Sequence, residues 1–269
     1  MSNSIRTTRP QRTRLGPALL ALALHTTALG QAQPAPQPLH EATDPTAPRP
    51  AVWVGRFSEG AGPWQERPVK AGLTPNRFQL ETWDGVAALT VTSSASASLM
   101  ARALTVNLDA TPVLCWRWRV DAALTTADLR QRQGDDAAAR LYVNLRLPPD
   151  TLGPLQRAAL ALGRRIWGPD LPDAALTYVW DNRLPPGTEL PNAYTDRAHM
   201  VVLRSGNADA GRWVTERRHV RADAQRHFGP GAQAVQMAVT ADTDNTGEKA
   251  RAGFADLQFV ADGQACPHP

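Results

Sequence analysis

Short runs of apolar and β-branched residues, separated by turn residues, recur from residue 51 to residue 260. The runs are 51–57, 77–83, 86–92, 97–106, 113–120, 138–147, 175–181, 198–204, 212–220, 233–240 and 250–260. No amphipathic helices alternate with them, so a parallel α/β sheet is disfavoured. The pattern predicts an all-β fold, an antiparallel two-sheet β-sandwich.

One segment has a helical period instead. From Pro154 to Trp167, apolar residues recur at three- and four-residue steps, inside a proline-flanked insertion over 148–173. This spacing predicts an amphipathic helix. A shorter helical turn is predicted over 222–228.

The N-terminus has the pattern of an export signal. An arginine-bearing segment precedes an apolar stretch that ends in small residues, which predicts a signal peptide over 1–30, with cleavage after Gly30 or alternatively after Ala32. Six prolines over 31–50 indicate an extended linker. We expect one β-sandwich domain over 51–262, a tail over 263–269, and a periplasmic or secreted protein.

The basic pI of about 9.6 arises from the predicted signal peptide over 1–30 rather than from the predicted domain. Four of the 29 Lys and Arg residues lie in residues 1–30, which hold no acid, so the remainder carries 25 basic and 25 acidic residues. A neutral domain is not expected to bind nucleic acid. No apolar run beyond the leader is long enough to span a membrane, so we expect no span after cleavage.

Two strand-like runs alternate between apolar and polar positions. In 113–120, Trp116 and Trp118 share an apolar face that we assign to the core, and the opposite face carries Arg117 and Arg119. In 138–147 the polar face carries Arg140, Tyr142 and Asn144. If both strands share a sheet, these guanidiniums form one polar surface that could bind hydroxyls and carboxylates of a sugar.

Aromatic and polar residues near a long proline-rich loop extend this candidate surface. Tyr178 and Trp180 could lie on either face of their strand and are candidates for stacking on a sugar ring. Tyr194 and Arg197 belong to the loop over 181–197, and long ordered loops often border binding sites. An equally supported alternative is that this loop binds nothing, and that its prolines form turns and the Tyr194 hydroxyl only anchors it.

Acidic residues cluster in two predicted loops, which hold Asp135, Asp136, Asp242, Asp244 and Asn245. They could pair with Arg117, Arg119 and Arg140 in a structural network, an alternative that we slightly favour. Asp242 and Asp244 could also ligate calcium with a distant loop, but we favour a tight turn and expect no cofactor. Cys115 and Cys266 are expected to stay unpaired, since spacing alone cannot bring them together.

Four segments together resemble DUF3047, an uncharacterised bacterial family. They are Trp116 to Val120, Gly134 to Val143, Tyr178 to Trp180 running on through Leu190 to Arg197, and Thr240 to Gly247. The resemblance covers nearly all of 51–260 and implies no activity and no catalytic roles. The strand pattern also resembles jelly-roll carbohydrate-binding domains, which is an analogy of fold.

Three functions fit these observations. We favour a non-enzymatic jelly-roll domain that binds a carbohydrate, an envelope glycan or another small molecule. The second is a glycan hydrolase or lyase that uses Asp135, Asp136, Asp242 or Asp244 beside Arg140 or Tyr142. The third is a structural envelope protein with an internal arginine-aspartate network. Buried arginines paired with aspartates would remove the main support for the first.

Overall fold

The computed structural model describes residues 51–169 and 171–268, without the side chain of Trp167. The predicted signal peptide, its cleavage site and the linker lie outside the described residues. The strands within them are β1 (Val52–Gly55), β2 (Gln65–Pro68), β3 (Arg77–Trp83), β4 (Val86–Ser94), β5 (Ser98–Val106), β6 (Val113–Val120), β7 (Ala137–Arg146), β8 (Ala174–Asp181), β9 (Glu189–Asn192), β10 (Thr195–Ser205), β11 (Val214–His219), β12 (Gln233–Asp242) and β13 (Lys249–Val260). The α-helices are α1 (Pro154–Trp167) and α2 (Val220–Phe228).

The strands form two sheets, as the alternation predicts. The first sheet has the order β11-β6-β13-β4-β3, with β1 also paired to β13. The second has the order β2-β5-β12-β7-β8-β10-β9. All pairs are antiparallel except β8 with β10, which run parallel because the short strand β9 lies between them in the chain. The prediction of a β-sandwich is confirmed, and the parallel pair is an addition to it.

Aromatic side chains from both sheets meet in the core. Trp116 and Trp118 on β6 have no exposed surface, as predicted. Across the core, Trp116 stacks on Tyr178 at 5.5 Å between ring centroids, and Trp118 contacts Trp180 at 5.6 Å. Because side chains alternate along a strand, burial of these rings turns the intervening residues of β6 and β8 outward.

The predicted helix is observed with the predicted bounds, as α1. Two strands were missed, β2 and β9. The four residues of β2 are all exposed and include two charged residues and a proline, so they have no apolar alternation to detect. Within the described residues, no helix combines the length and apolar character needed to cross a bilayer.

The expectation that the two cysteines stay unpaired is wrong. Cys115 and Cys266 form a disulfide, with their Cα atoms 5.7 Å apart. The pair lies among Val113, Val260 and Ala51, on the outer side of β6. The chain after β13 returns over this sheet, a path that the residue spacing does not encode.

Candidate functional site

A cleft crosses the outer face of the seven-stranded sheet. Its volume is about 560 Å³, within the range of ligand sites. Its floor comes from β7, β8 and β12, and its walls from the loop after β2 and from β9 and β10. We call it the Tyr194 cleft; the polar residues that line it are Lys70, Asp135, Arg140, Tyr142, Thr177, Asn192, Tyr194, Asp242, Asp244 and Asn245.

Arg140 is the central charge of this cleft. It projects from the outer face of β7 because its neighbours Ala139 and Leu141 point into the core. Its side chain is 3% exposed and donates to Asp135 Oδ1 at 2.8 Å, while Asp242 Oδ2 lies 3.6 Å from its Nη1. Burial alone lowers the pKa of Arg140, but Tyr142 and both carboxylates outweigh burial and raise it well above its usual value. Arg140 therefore remains charged and holds the two acids together.

Asp135 and Asp136 have separate structural partners. The second oxygen of Asp135 accepts a hydrogen bond from Asn192 Nδ2 at 3.0 Å, which ties β9 to the start of β7. Asp136 is fully buried and accepts from the backbone N–H of Thr246 at 2.7 Å and from Asn245 Nδ2 at 3.0 Å. Asp136 thus fastens the loop after β12, which adopts the tight turn that the sequence favours.

The two acidic loops converge. One carboxylate oxygen from each of Asp136, Asp242 and Asp244 lies within 4.8 Å of the others. Burial raises the pKa of Asp242 well above its ordinary value, and a hydrogen bond to Asp244 and the charges of Asp136 and Asp244 add to this, against the lowering effect of Arg140. Asp242 therefore holds a proton more readily than an ordinary aspartate.

This pKa shift predicts how stability depends on pH. Because the folded protein holds the Asp242 proton more tightly than the unfolded chain does, the free energy of unfolding falls as pH rises above the ordinary value of 3.8 and through the raised pKa. Asp242→Asn has no titrating group at this position, so its free energy of unfolding does not fall in this way as pH rises. We expect its Tm to exceed that of the wild type by a few degrees at neutral pH, and the difference to shrink as pH approaches that ordinary value.

Thermal unfolding across this pH range measures the difference. Asp150→Asn, at an exposed aspartate without a side-chain hydrogen bond among the described residues, is the matched control and should follow the wild type. Equal melting temperatures of Asp242→Asn and the wild type at every pH would contradict the assignment.

Tyr194 presents an aromatic ring at the wall of the cleft. The residue is 54% exposed, although both ends are held. Its hydroxyl donates to the carbonyl of Arg132 at 2.8 Å, and its backbone N–H donates to Asn192 Oδ1 at 3.0 Å. The Arg132 guanidinium lies 5.3 Å from the ring centroid. The ring is thus both fixed and accessible, as a stacking surface requires.

Arg117 and Arg119 do not belong to this cleft, so the prediction of one arginine surface is wrong. β6 and β7 lie in different sheets, and the outer faces of the two sheets point to opposite sides of the sandwich. Arg117 pairs with Asp256 and Arg119 with Asp84. Arg119 also lies over the Trp83 ring, at 4.3 Å. These two arginines do form ion pairs, as the structural alternative expected, but their partners are Asp256 and Asp84 rather than the aspartates of the two acidic loops.

Trp180 and Tyr178 are not stacking surfaces either, which corrects that prediction. Neither has exposed surface. The Tyr178 hydroxyl donates to Asp223 at 2.9 Å, and the Trp180 indole N–H donates to the carbonyl of Gly206 at 3.1 Å. Both rings contribute to packing between the sheets.

Two further candidates lie outside the Tyr194 cleft. Asn144 is on the outer face of β7, but it donates to Gln236 at 2.6 Å and does not line the cleft. Arg197 lines a separate cavity with Asp196 and His227. The remaining candidates, Arg140, Tyr142, Tyr194, Asp135, Asp242, Asp244 and Asn245, do come together.

Some lining residues were not predicted as site residues. Thr177 pairs with Tyr142 across β7 and β8, so it shares the outer face of the sheet. Side chains alternate along a strand, so an assignment of Tyr178 to the core would have placed its neighbour Thr177 on the outer face. Lys70 follows the missed strand β2, and no sequence signal placed it. Asn192 belongs to the loop over 181–197, which the sequence indicates as a candidate border of a site.

Comparison with family models confirms the family resemblance. A family model described as "Protein of unknown function (DUF3047)" matches residues 62–258. No curated protein matches the chain. The solved structures that resemble it include the family 30 carbohydrate-binding module of the cellulosomal cellulase Cel9D-Cel44B of Clostridium thermocellum, with 10% identity and a TM-score of 0.32 over 81% of this chain and 96% of that one.

Another is the endoglucanase cel12A from Rhodothermus marinus, with 10% identity and a TM-score of 0.36 over 74% of this chain and 98% of that one. Similarities as distant as these two carry no argument about ligand or activity. The function has to be argued from the cleft itself.

Proposed function

The chain belongs to the DUF3047 family, and we propose that it is a non-enzymatic carbohydrate-binding β-sandwich that takes a neutral sugar in the Tyr194 cleft. The observation that carries the proposal is the fixed, accessible ring of Tyr194 beside a cluster of hydrogen-bonding groups. A sugar ring offers an apolar face for stacking and hydroxyls around its edge. The cleft supplies a counterpart to each.

The charges in the cleft favour a neutral sugar over an anionic one. Asp135, Asp242 and Asp244 line the cleft, against the two cationic side chains of Arg140 and Lys70. Arg140 is already paired with two of the acids. Since the protonated state is favoured at Asp242, the remaining carboxylate, amide and hydroxyl groups suit sugar hydroxyls, which both donate and accept hydrogen bonds.

The sequence hypothesis of a sugar-binding surface relied on free arginines, and the structure shows that these arginines are paired. Arg117, Arg119 and Arg140 are all paired with aspartates, so the guanidiniums no longer support a binding surface. Tyr194 and the acidic loops support it instead. In this proposal Arg140 acts as a positioning residue that holds Asp135 and Asp242 in place.

Export is part of the same proposal. The predicted signal peptide supports a periplasmic or secreted protein, and the Cys115–Cys266 disulfide supports an oxidising compartment. In that setting the ligand would be an envelope or extracellular glycan.

A glycan array followed by titration of the best ligand tests the proposal. Tyr194→Ala removes the stacking ring and is expected to weaken binding about tenfold or more, equivalent to about 1.4 kcal/mol. Tyr194→Phe is the matched variant, since it keeps the ring and loses only the hydroxyl bond to Arg132, and it should retain most of the affinity. Binding unchanged in Tyr194→Ala, or no wild-type signal on any neutral glycan, would contradict the proposal.

A hydrolase remains the second candidate because of the pKa of Asp242. A carboxylic acid that keeps its proton beside an ionised carboxylate is the arrangement of a general acid in glycosidases. Reducing sugar released from a neutral polysaccharide that binds the wild type, and lost in Asp242→Asn while binding persists, would favour the hydrolase. Binding without release favours the binding function.

A further inference from the structure

Helix α1 turns an apolar stripe toward solvent. Leu155, Ala159, Leu162 and Ile166 recur at four- and three-residue steps and share one face of the helix. Leu155 is 85% exposed, Leu162 59% and Ile166 61%, and these are three of the most exposed large apolar residues in the described chain. We call this set the outer stripe of α1. Apolar groups aligned in this way mark an interaction surface.

The opposite side of α1 is fixed to the body of the protein. Leu160 is buried, and Arg164 pairs with Asp173, whose side chain is 2% exposed. Asp173 in turn accepts from the backbone N–H of Leu147 at 2.9 Å, next to the end of β7. The helix is therefore held along one side while the outer stripe points away, so a partner could reach the stripe without unfolding the domain.

The charge of α1 indicates the kind of partner. The helix contains Arg157, Arg164 and Arg165 and no acidic residue. Arg157 and Arg165 are exposed and form no ion pair within the described residues. Arg165 adjoins Ile166 and lies about 90° around the helix axis from the centre of the stripe, at about 100° per residue, whereas Arg157 lies on the far side, about 170° away. A basic, acid-free helix with an apolar stripe is complementary to an anionic lipid surface.

We propose that α1 binds the surface of a membrane that contains anionic phospholipids. With 14 residues the helix is about 21 Å long, too short to span a bilayer, so it would lie in the plane of the interface with the outer stripe in contact with acyl chains. Arg165, at the flank of the stripe, would contact lipid phosphates. The domain would then be held at the envelope by a surface separate from the Tyr194 cleft.

Vesicle sedimentation tests the proposal. The purified protein is mixed with vesicles of phosphatidylglycerol and phosphatidylcholine in equal amounts, and with phosphatidylcholine alone. We expect the wild type to sediment with the mixed vesicles and less with phosphatidylcholine, and added salt to weaken the binding. The double variant Leu162→Ser with Ile166→Ser should bind about tenfold more weakly. Arg165→Gln removes one charge that faces the lipid and should bind about fivefold more weakly.

Leu80→Ser is the matched control, because Leu80 is 43% exposed on β3 in the other sheet. It should bind vesicles like the wild type. All substituted side chains are exposed, and unchanged melting temperatures would show that the variants are folded. No sedimentation of the wild type, or equal binding by the α1 variants, would overturn the proposal. It would also be overturned by a wild-type dimer that the double serine variant converts to a monomer, because the stripe would then bind a second copy.

Discussion

Arg140→Met is expected to lower the free energy of unfolding by about 3–5 kcal/mol, the range measured when one partner of a buried ion pair is removed. Arg140 is 3% exposed and Asp135 4%, so neither charge can be solvated by water once its partner is lost. The substitution leaves the buried carboxylate of Asp135 without its cation, and it also removes the guanidinium from beside Asp242. Urea unfolding at neutral pH measures the loss.

Two further variants separate this effect from the loss of any surface arginine. Arg130→Met removes an exposed guanidinium that pairs with Asp128, and it should leave the stability nearly unchanged. Adding Asp135→Asn to Arg140→Met removes the stranded charge and should recover part of the stability. A loss below about 1 kcal/mol for Arg140→Met would contradict the buried network.

Cys266→Ser is expected to lower the free energy of unfolding by about 3–5 kcal/mol, because the disulfide closes one of the longest loops that the domain allows. The two cysteines are 151 residues apart, and a crosslink over such a distance strongly restricts the unfolded chain. The disulfide also holds the tail, where the carbonyl of Pro267 accepts a hydrogen bond from Gln258. Unfolding should therefore begin at lower temperature without it.

Thermal unfolding with and without a reducing agent makes the test. The reduced wild type and Cys266→Ser should melt at similar temperatures, and the reducing agent should leave the variant unchanged. A wild type that is insensitive to reduction, with free thiols detected before unfolding, would show that the cysteines do not pair.

Local pattern accounts for the parts of the fold that were predicted. The period of two in β7 separates Leu141 from Arg140 and Tyr142, and the period of the helix locates α1 to the residue. Both rules concern neighbours along the chain, so no long-range information is needed. Edge strand β2 lacks such a pattern, because exposed polar residues are compatible with either strand or loop.

The candidate site was only partly predictable for the same reason. Grouping Asp135, Asp242, Asp244 and Asn245 with Arg140 depended on the convergence of two loops about a hundred residues apart in the chain, and the structure brings them together. The grouping of Arg117 and Arg119 with Arg140 assumed a shared sheet, and it is wrong. The alternation of side chains shows which residues share a face of one strand, but it does not show which sheet that strand joins.

The β-sandwich class, the two faces of β6 and β7 and the amphipathic helix were predictable from the residues, because each of these follows from periodicity between near neighbours. The tertiary structure alone decided that Tyr194 rather than Trp180 faces the cleft, that Arg140 is buried among aspartates, and that Cys115 meets Cys266. Those three outcomes depend on which strands pair across long loops. Pairing is set by the packing of the whole core, and no segment of the chain encodes it alone.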